Sequence, residues 1–229
     1  MSNLDDPTRT AATPGEASLG AAGAPVHIVS PAAAFPTPPP IEPEQTLPPA
    51  MWGTIAFLLS EAAFFSALIV AYLTFLNRDL TGPTPAEVLS LSLVAVTTAC
   101  LLSSSFTIHA AEKALRRGTI GGFKLWWAAT IGLGLLFLAG TAYEWTGLIR
   151  DDGLTISTNL FGSTFYTLVG FHAFHVTAGV IAMLTILGLA MRNKVTAQHE
   201  GAVGPVALYW HFVDGVWIVV FLIVYIIGR

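Results

Sequence analysis

Five apolar stretches, separated by short polar breaks, dominate the chain after residue 50. They span residues 51–76, 88–110, 124–147, 162–191 and 205–228. Each is long enough to cross roughly 30 Å of hydrocarbon at 1.5 Å of helical rise per residue. The breaks are rich in turn-forming residues, as in segments 77–85 and 147–153. The pattern predicts an all-α, polytopic membrane bundle of five transmembrane helices.

Residues 1–50 follow a different pattern. They contain 11 of the 14 prolines, together with many Ala, Gly and Ser residues, and no apolar run of helix length. Such a composition cannot bury a core. The stretch also lacks the basic segment and apolar segment of a secretory signal. We expect a disordered, Pro/Ala-rich N-terminal arm over 1–50 and a membrane domain over 51–229.

Composition and charge agree with a membrane protein. Hydrophobic residues make up 54% of the chain and charged residues only 10%, against roughly a quarter in soluble domains. The net charge of −4 gives no basic surface for nucleic acid, so we expect no nucleic-acid partner.

The distribution of Lys and Arg predicts the orientation of the bundle. The breaks after the second and fourth apolar stretches are basic, whereas the other two hold only Arg78 and Arg150. Because basic loops stay in the cytoplasm, we expect a cytoplasmic N-terminus and a C-terminus outside. Several tryptophans near the predicted helix ends suggest interfacial anchors, namely Trp52, Trp126, Trp127, Trp145 and Trp210.

Glu61 lies inside the first apolar stretch, roughly 13 Å beyond Trp52 at 1.5 Å per residue. Ionisable groups in hydrocarbon are costly and mark candidate functional positions. Desolvation favours the protonated carboxyl. Two interpretations stay open: a carboxyl that handles protons or regulates their uptake, and a neutral carboxyl that only hydrogen-bonds to a neighbouring helix. A proton-coupled transporter would also use Glu61, but neither broken helices nor an inverted repeat is visible.

His172 and His175 share one helix face at i, i+3, and His211 lies on the last apolar stretch. Imidazole is the commonest metal ligand, so an independent b-type membrane cytochrome could use His172 or His175 opposite His211. A di-iron centre would need about four Glu and two Glu-x-x-His pairs, which are absent from the sequence. We therefore favour packing or hydrogen bonding between helices and predict no metal site.

Asp214 lies three residues after His211, where a direct His–Asp pair would lower the cost of burying both. No nucleophile motif accompanies the pair, so we predict no catalytic residue. Glu144, beside Trp145, is close enough to the end of its stretch to reach the membrane interface.

The chain contains YWHFVDGVW at 209–217, FGSTFYTLVGFHAFHV at 161–176 and Ser60-Glu61 followed by Phe64-Phe65. Together these three segments resemble one family, the subunit III family of haem–copper terminal oxidases. The segment 209–217 (YWHFVDGVW) matches the final-helix signature, and 161–176 (FGSTFYTLVGFHAFHV) resembles the penultimate helix. Ser60-Glu61 followed by Phe64-Phe65 is similar to the segment with the family's reactive carboxyl. The resemblance covers roughly residues 51–229.

The resemblance implies a non-redox membrane subunit of a bacterial cytochrome c oxidase, without a catalytic centre of its own. Haem and copper would belong to partner subunits I and II. The chain would pack directly on subunit I in the bacterial cell membrane, bind phospholipid, support proton uptake and stabilise the catalytic subunit. Glu61 would be the buried proton-related carboxyl, with Arg192 a candidate partner for a lipid phosphate. The remaining intramembrane polar groups would be structural: His172, His175, His211, Asp214 and Glu144.

The sequence departs from the longer members of that family. Seven-helix members have two helices before the Ser-Glu segment, which the Pro-rich residues 1–50 cannot form. We therefore expect a five-helix form. Quinol-oxidase relatives often resemble this layout but tend to have Asp where Glu61 stands, and Glu favours a cytochrome c oxidase. A nitric-oxide-reductase-associated relative is the further alternative.

Overall fold

The computed structural model describes residues 48–76, 78, 88–89, 91–195 and 200–228, and this part of the chain is helical. The helices are α1 (Pro49–Phe75), α2 (Leu91–Arg116), α3 (Ile120–Arg150), α4 (Leu160–Met191) and α5 (Glu200–Phe221), and α5 continues as a π-helical turn, Leu222–Ile227. Within the described residues, five helices are long and apolar enough to cross a membrane. The predicted five-helix membrane fold is confirmed.

The helix boundaries follow from local sequence. Pro49 occupies the first turn of α1, where a missing N–H costs nothing because no helical acceptor exists there. Gly118 takes a φ of 72° between α2 and α3, a conformation that ends helices readily. The Asn159 side chain caps α4 by accepting from the Gly162 N–H at 2.7 Å.

Two predicted boundaries differ from the structure. Lys113 and Arg116 lie in the last turn of α2 rather than in a loop, because the chain stays helical until the Gly118 turn. Of the predicted arm, residues 1–47 lie outside the described residues, and Pro49 and Ala50 already belong to α1. His199 also lies outside them.

Helices α2 to α5 pack in a ring in which each contacts two neighbours, and α1 lies on one side of that ring. α2 packs against α3, α3 against α4, and α5 against both α2 and α4, while α1 packs on α4 and α5. The buried residues of α1 are Leu58, Phe65 and Tyr72. Their spacing of seven residues makes a narrow contact stripe, as in a coiled-coil seam. α1 is therefore the most peripheral helix.

Three buried tryptophans of the bundle each donate a hydrogen bond to another helix. Trp127 donates to the Met183 carbonyl at 2.9 Å, Trp210 to Ser104 Oγ at 2.7 Å, and Trp217 to Thr98 Oγ1 at 2.9 Å. The prediction that Trp127 and Trp210 are interfacial anchors is wrong, since both are fully buried. Their indole N–H groups find acceptors inside the bundle and need no headgroup.

Trp210 fits between α3 and α4 because both helices present glycine to it. A Cβ on Gly134 would lie 2.7 Å from Trp210 Cη2, and one on Gly179 would lie 2.8 Å from Trp210 Cε3. Small residues allow close approach of membrane helices. Trp210 of α5 thus contacts α2, α3 and α4 at once.

Candidate functional site

Glu61 of α1 and His175 of α4 form a pair across a helix interface. Glu61 Oε2 lies 3.0 Å from His175 Nε2, and the two side chains are only 18% and 9% exposed. His175 thus hydrogen-bonds to another helix. Glu61 therefore has a hydrogen-bonding partner on a neighbouring helix, which both interpretations of this carboxyl allow.

The remaining contacts of His175 limit where the proton of this pair can be. His175 Nδ1 lies 2.7 Å from the Phe171 carbonyl, which only accepts hydrogen bonds, so Nδ1 is the donor. One proton is then left for the contact between Nε2 and Glu61, bound either to the carboxyl or to the imidazole. Both arrangements are neutral overall, which lowers the cost of burying the pair.

Tyr209 of α5 closes this cluster from a third helix. Its hydroxyl donates to the His175 carbonyl at 2.9 Å, and its ring stacks on Phe57 of α1 with centroids 6.3 Å apart. The cluster therefore joins α1, α4 and α5 around one shared proton.

His211 and Asp214 meet through Ser105 of α2. Ser105 Oγ lies 3.2 Å from His211 Nδ1 and donates a short hydrogen bond to Asp214 Oδ2. The direct His–Asp pair predicted from the i, i+3 spacing is wrong, because the Ser105 hydroxyl stands between the two groups. The prediction that both are internal polar groups on α5 still agrees with this geometry.

Glu144 faces the interior of the bundle. It is buried and accepts from the Tyr225 hydroxyl at 2.9 Å. The expectation that it reaches the membrane interface is therefore wrong. Tyr225 lies in the π-helical turn that ends α5, and such turns widen a helix and change the direction of its side chains.

His172 is enclosed by aromatic rings. It is fully buried, stacks on Trp217 with centroids 4.7 Å apart and meets the edge of Phe137 at 5.8 Å. Neither ring nitrogen has a hydrogen-bond partner among the described residues. Its role in this arrangement is packing.

Arg192 immediately follows α4 and is exposed. It lies at the basic end of the bundle, which we define as the end formed by the starts of α1, α3 and α5 and the ends of α2 and α4. Lys124 at the start of α3 donates to the Asn193 side chain after α4 at 3.3 Å, which brings these two helix ends together.

The polar residues are distributed over separate interfaces and do not converge on one open site. Within the described part of the chain, no group of three or more His, Cys, Asp or Glu residues is arranged to hold a metal ion. His175 has both nitrogens at hydrogen-bond distance from protein atoms, and His172 lies between rings. These residues do not fit a bis-His haem site.

Sequence reasoning missed the partners of these groups. Ser105, Tyr209 and Tyr225 are needed to describe the clusters, yet no spacing in the sequence relates Glu61 to His175 or Glu144 to Tyr225. The one available signal was the run of serines 103–105 on an apolar helix, which indicates polar contacts between helices.

Comparison with known proteins gives one consistent result. The model of the family "Cytochrome c oxidase subunit III" matches residues 48–229. A cytochrome c oxidase subunit 3 of Synechocystis sp. is 41% identical over 182 residues, which cover 77% of this chain and 75% of the relative.

Two further relatives have the same name. The protein of Thermostichus vulcanus is 34% identical over 178 residues, covering 77% of this chain and 87% of the relative. That of Corynebacterium diphtheriae is 38% identical over 178 residues, covering 76% and 86%. The matched region contains all five membrane helices and each polar cluster described above. The chain belongs to the cytochrome c oxidase subunit III family.

Proposed function

We propose that this chain is the non-redox subunit III of an aerobic respiratory cytochrome c oxidase in a bacterial cell membrane. It packs directly on subunit I and belongs to the same complex as subunit II, and those partners hold the haem and copper. Its work is to bind phospholipid, to support proton uptake and to stabilise the catalytic subunit. Family membership makes it a subunit of an oxidoreductase complex.

One observation supports a non-redox role best. Three intramembrane carboxyl groups hydrogen-bond in separate pairs, Glu61 with His175, Asp214 with Ser105 and Glu144 with Tyr225. A redox centre would require several of them to face one cavity with free ligand atoms. The arrangement instead stabilises the bundle and leaves the chemistry to partner subunits.

The Glu61–His175 pair supports a role in proton uptake. Its single shared proton has two positions, on the carboxyl or on the imidazole, so the proton can shift within the pair while the net charge of the pair stays zero. Glu61 is partly exposed on α1, the helix with the narrowest internal contact, so a partner subunit can approach it. We therefore assign Glu61 the role of proton-related carboxyl.

Purification through a tag on this chain tests the subunit assignment. We expect the complex to show haem absorption bands and the separated, refolded chain to show none. A haem Soret band in the isolated chain that disappears in His211→Ala would contradict the proposal and support a b-type cytochrome.

A second experiment tests Glu61. In Glu61→Gln we expect the complex to assemble and to retain electron transfer. Proton uptake should fall by less than the roughly hundredfold loss expected for an essential proton-transfer group. Ser60→Ala, on the same helix with its hydroxyl bonded to the Phe57 carbonyl, is the matched control. Complete loss of electron transfer in Glu61→Gln would contradict a non-redox role, and unchanged uptake would make Glu61 purely structural.

A further inference from the structure

A cavity of about 500 Å³ lies at the basic end of the bundle, between α1, α2 and α5. Its wall combines apolar and ionisable side chains, and α5 contributes His211 to it. The lining includes Pro48, Met51, Glu112, Arg116, Leu208 and His211. Pro205 of α5 has no N–H to donate to the carbonyl of Gly201, which is also a lining residue. The wall is mainly apolar, and Glu112, Arg116 and His211 supply the polar partners that a bound water molecule needs.

A hydrogen-bonded chain leads from this cavity into the bundle. It runs from His211 Nδ1 to the Ser105 hydroxyl at 3.2 Å and from that hydroxyl to Asp214 Oδ2. A serine hydroxyl has one proton and two lone pairs, so it can donate to one neighbour while accepting from the other. The hydrogen bonds can therefore run in either direction. In one, the His211 N–H donates to Ser105, which donates to the Asp214 carboxylate; in the other, protonated Asp214 donates to Ser105, which donates to the His211 imidazole.

Asp214 is the buried end of this chain. It is 3% exposed, and it lies about 21 Å along α5 from Glu200 at 1.5 Å per residue. Its second oxygen, Oδ1, is buried without a hydrogen-bond partner among the described residues. An ionised carboxylate with one unsatisfied oxygen is costly in a membrane interior, so binding a proton there removes the cost.

We propose that the cavity and the His211–Ser105–Asp214 chain form a proton-binding site that exchanges with the solution at the basic end. Water in the cavity gives a proton to His211 Nε2. His211 then releases its Nδ1 proton to Ser105, whose own proton passes to Asp214. One proton moves from water to the carboxylate, and the imidazole changes tautomer. The site is distinct from Glu61 and goes beyond the function proposed for it.

The surrounding charges act on His211 rather than on the deeper carboxyl. α2 contributes Glu112 and Arg116 at the cavity and His109 near it. On the other helices packed against α5, the ionisable groups are Glu61 of α1, paired with His175, and His172 and His175 of α4. Glu112 and Arg116 have opposite charges, so the mouth of the cavity does not repel a proton.

Infrared difference spectroscopy on the purified complex tests the site. The carbonyl stretching band of a protonated carboxyl moves to lower frequency on transfer to D₂O, and subtraction of Asp214→Asn identifies the band of Asp214. In Ser105→Ala we expect this exchange to slow at least about tenfold, a small part of what a positioned proton-transfer group contributes. Ser105→Thr keeps a hydroxyl and should exchange at the wild-type rate.

Ser103→Ala is the matched control on the same helix, because Ser103 is exposed and its hydroxyl donates to its own helix at Ala99. The comparison of Ala and Thr at position 105 decides the question even if Asp214→Asn fails to assemble. Equal exchange in Ser105→Ala, Ser105→Thr and Ser103→Ala would overturn the proposal, as would an Asp214 band that never exchanges. Neither result would change the role assigned to Glu61, because proton uptake in Glu61→Gln is measured in a separate experiment.

Discussion

The contact of Trp210 with two glycines predicts that one added methyl group destabilises the bundle. In Gly179→Ala, the new Cβ would lie 2.8 and 2.9 Å from Trp210 Cε3 and Cζ3 and 3.2 Å from Tyr209 Cε1. The indole cannot move away freely, because Gly134 contacts its other edge and its N–H is bonded to Ser104.

The expected magnitude comes from two opposing effects. Overpacking a well-packed core costs about 1–3 kcal/mol, and replacing a helical glycine by alanine gains up to about 1 kcal/mol. Gly188 lies on the same helix, is exposed and has nothing within 4 Å of an added Cβ. Gly188→Ala therefore gains helix propensity without a steric clash. The difference between the unfolding free energies of the two variants then gives the overpacking cost, about 1–3 kcal/mol.

The assay is reversible unfolding of the full-length chain in mixed micelles, followed by tryptophan fluorescence. We expect Gly179→Ala to unfold at a lower denaturing-detergent fraction than the wild type, and Gly188→Ala at an equal or higher one. Equal free energies of unfolding for the two alanine variants would refute the argument that Trp210 is confined between α3 and α4.

Three further predictions use the same assay or the purified complex. Tyr225→Phe removes the hydroxyl that donates to buried Glu144 and should cost about 1 kcal/mol of unfolding free energy. Tyr143 is 72% exposed, so Tyr143→Phe should change the free energy of unfolding little, and a larger loss in Tyr143→Phe than in Tyr225→Phe would contradict the Glu144 contact. A double-mutant cycle of Trp210→Phe and Ser104→Ala should give a coupling of about 0.6 kcal/mol, and zero coupling would exclude a stabilising hydrogen bond. Arg192→Ala should reduce the phospholipid that co-purifies with the complex, measured by phosphorus analysis, while Arg150→Ala at the opposite end should not; equal retention would remove Arg192 as a phosphate partner.

The membrane fold was predictable from the sequence because it depends on helix-length apolar runs. The five predicted stretches all correspond to helices, with ends that shift by a few residues where polar side chains remain helical, as at Lys113 and Arg116. Hydropathy identifies what lies in hydrocarbon but not which face of a helix points inward. This explains why Trp127 and Trp210 were predicted at the interface and are buried.

The polar clusters were only half predictable. The unusual residues, Glu61, His175, His211 and Asp214, stand out because each is costly in an apolar stretch. Their partners do not stand out, since Ser105 and Tyr209 are ordinary membrane residues and the contacts join positions 34 to 114 residues apart. The i, i+3 spacing suggested a direct His211–Asp214 pair, but both side chains are instead within hydrogen-bond distance of the Ser105 hydroxyl on α2.

The narrow stripe on α1 has a consequence for how the protein is made. Among the described helices α1 precedes the others in the sequence, but the helices it packs on, α4 and α5, come after α2 and α3. Glu61 is therefore synthesised before His175, its hydrogen-bond partner on α4. A truncated chain that lacks α4 and α5 therefore leaves α1 without its packing partners.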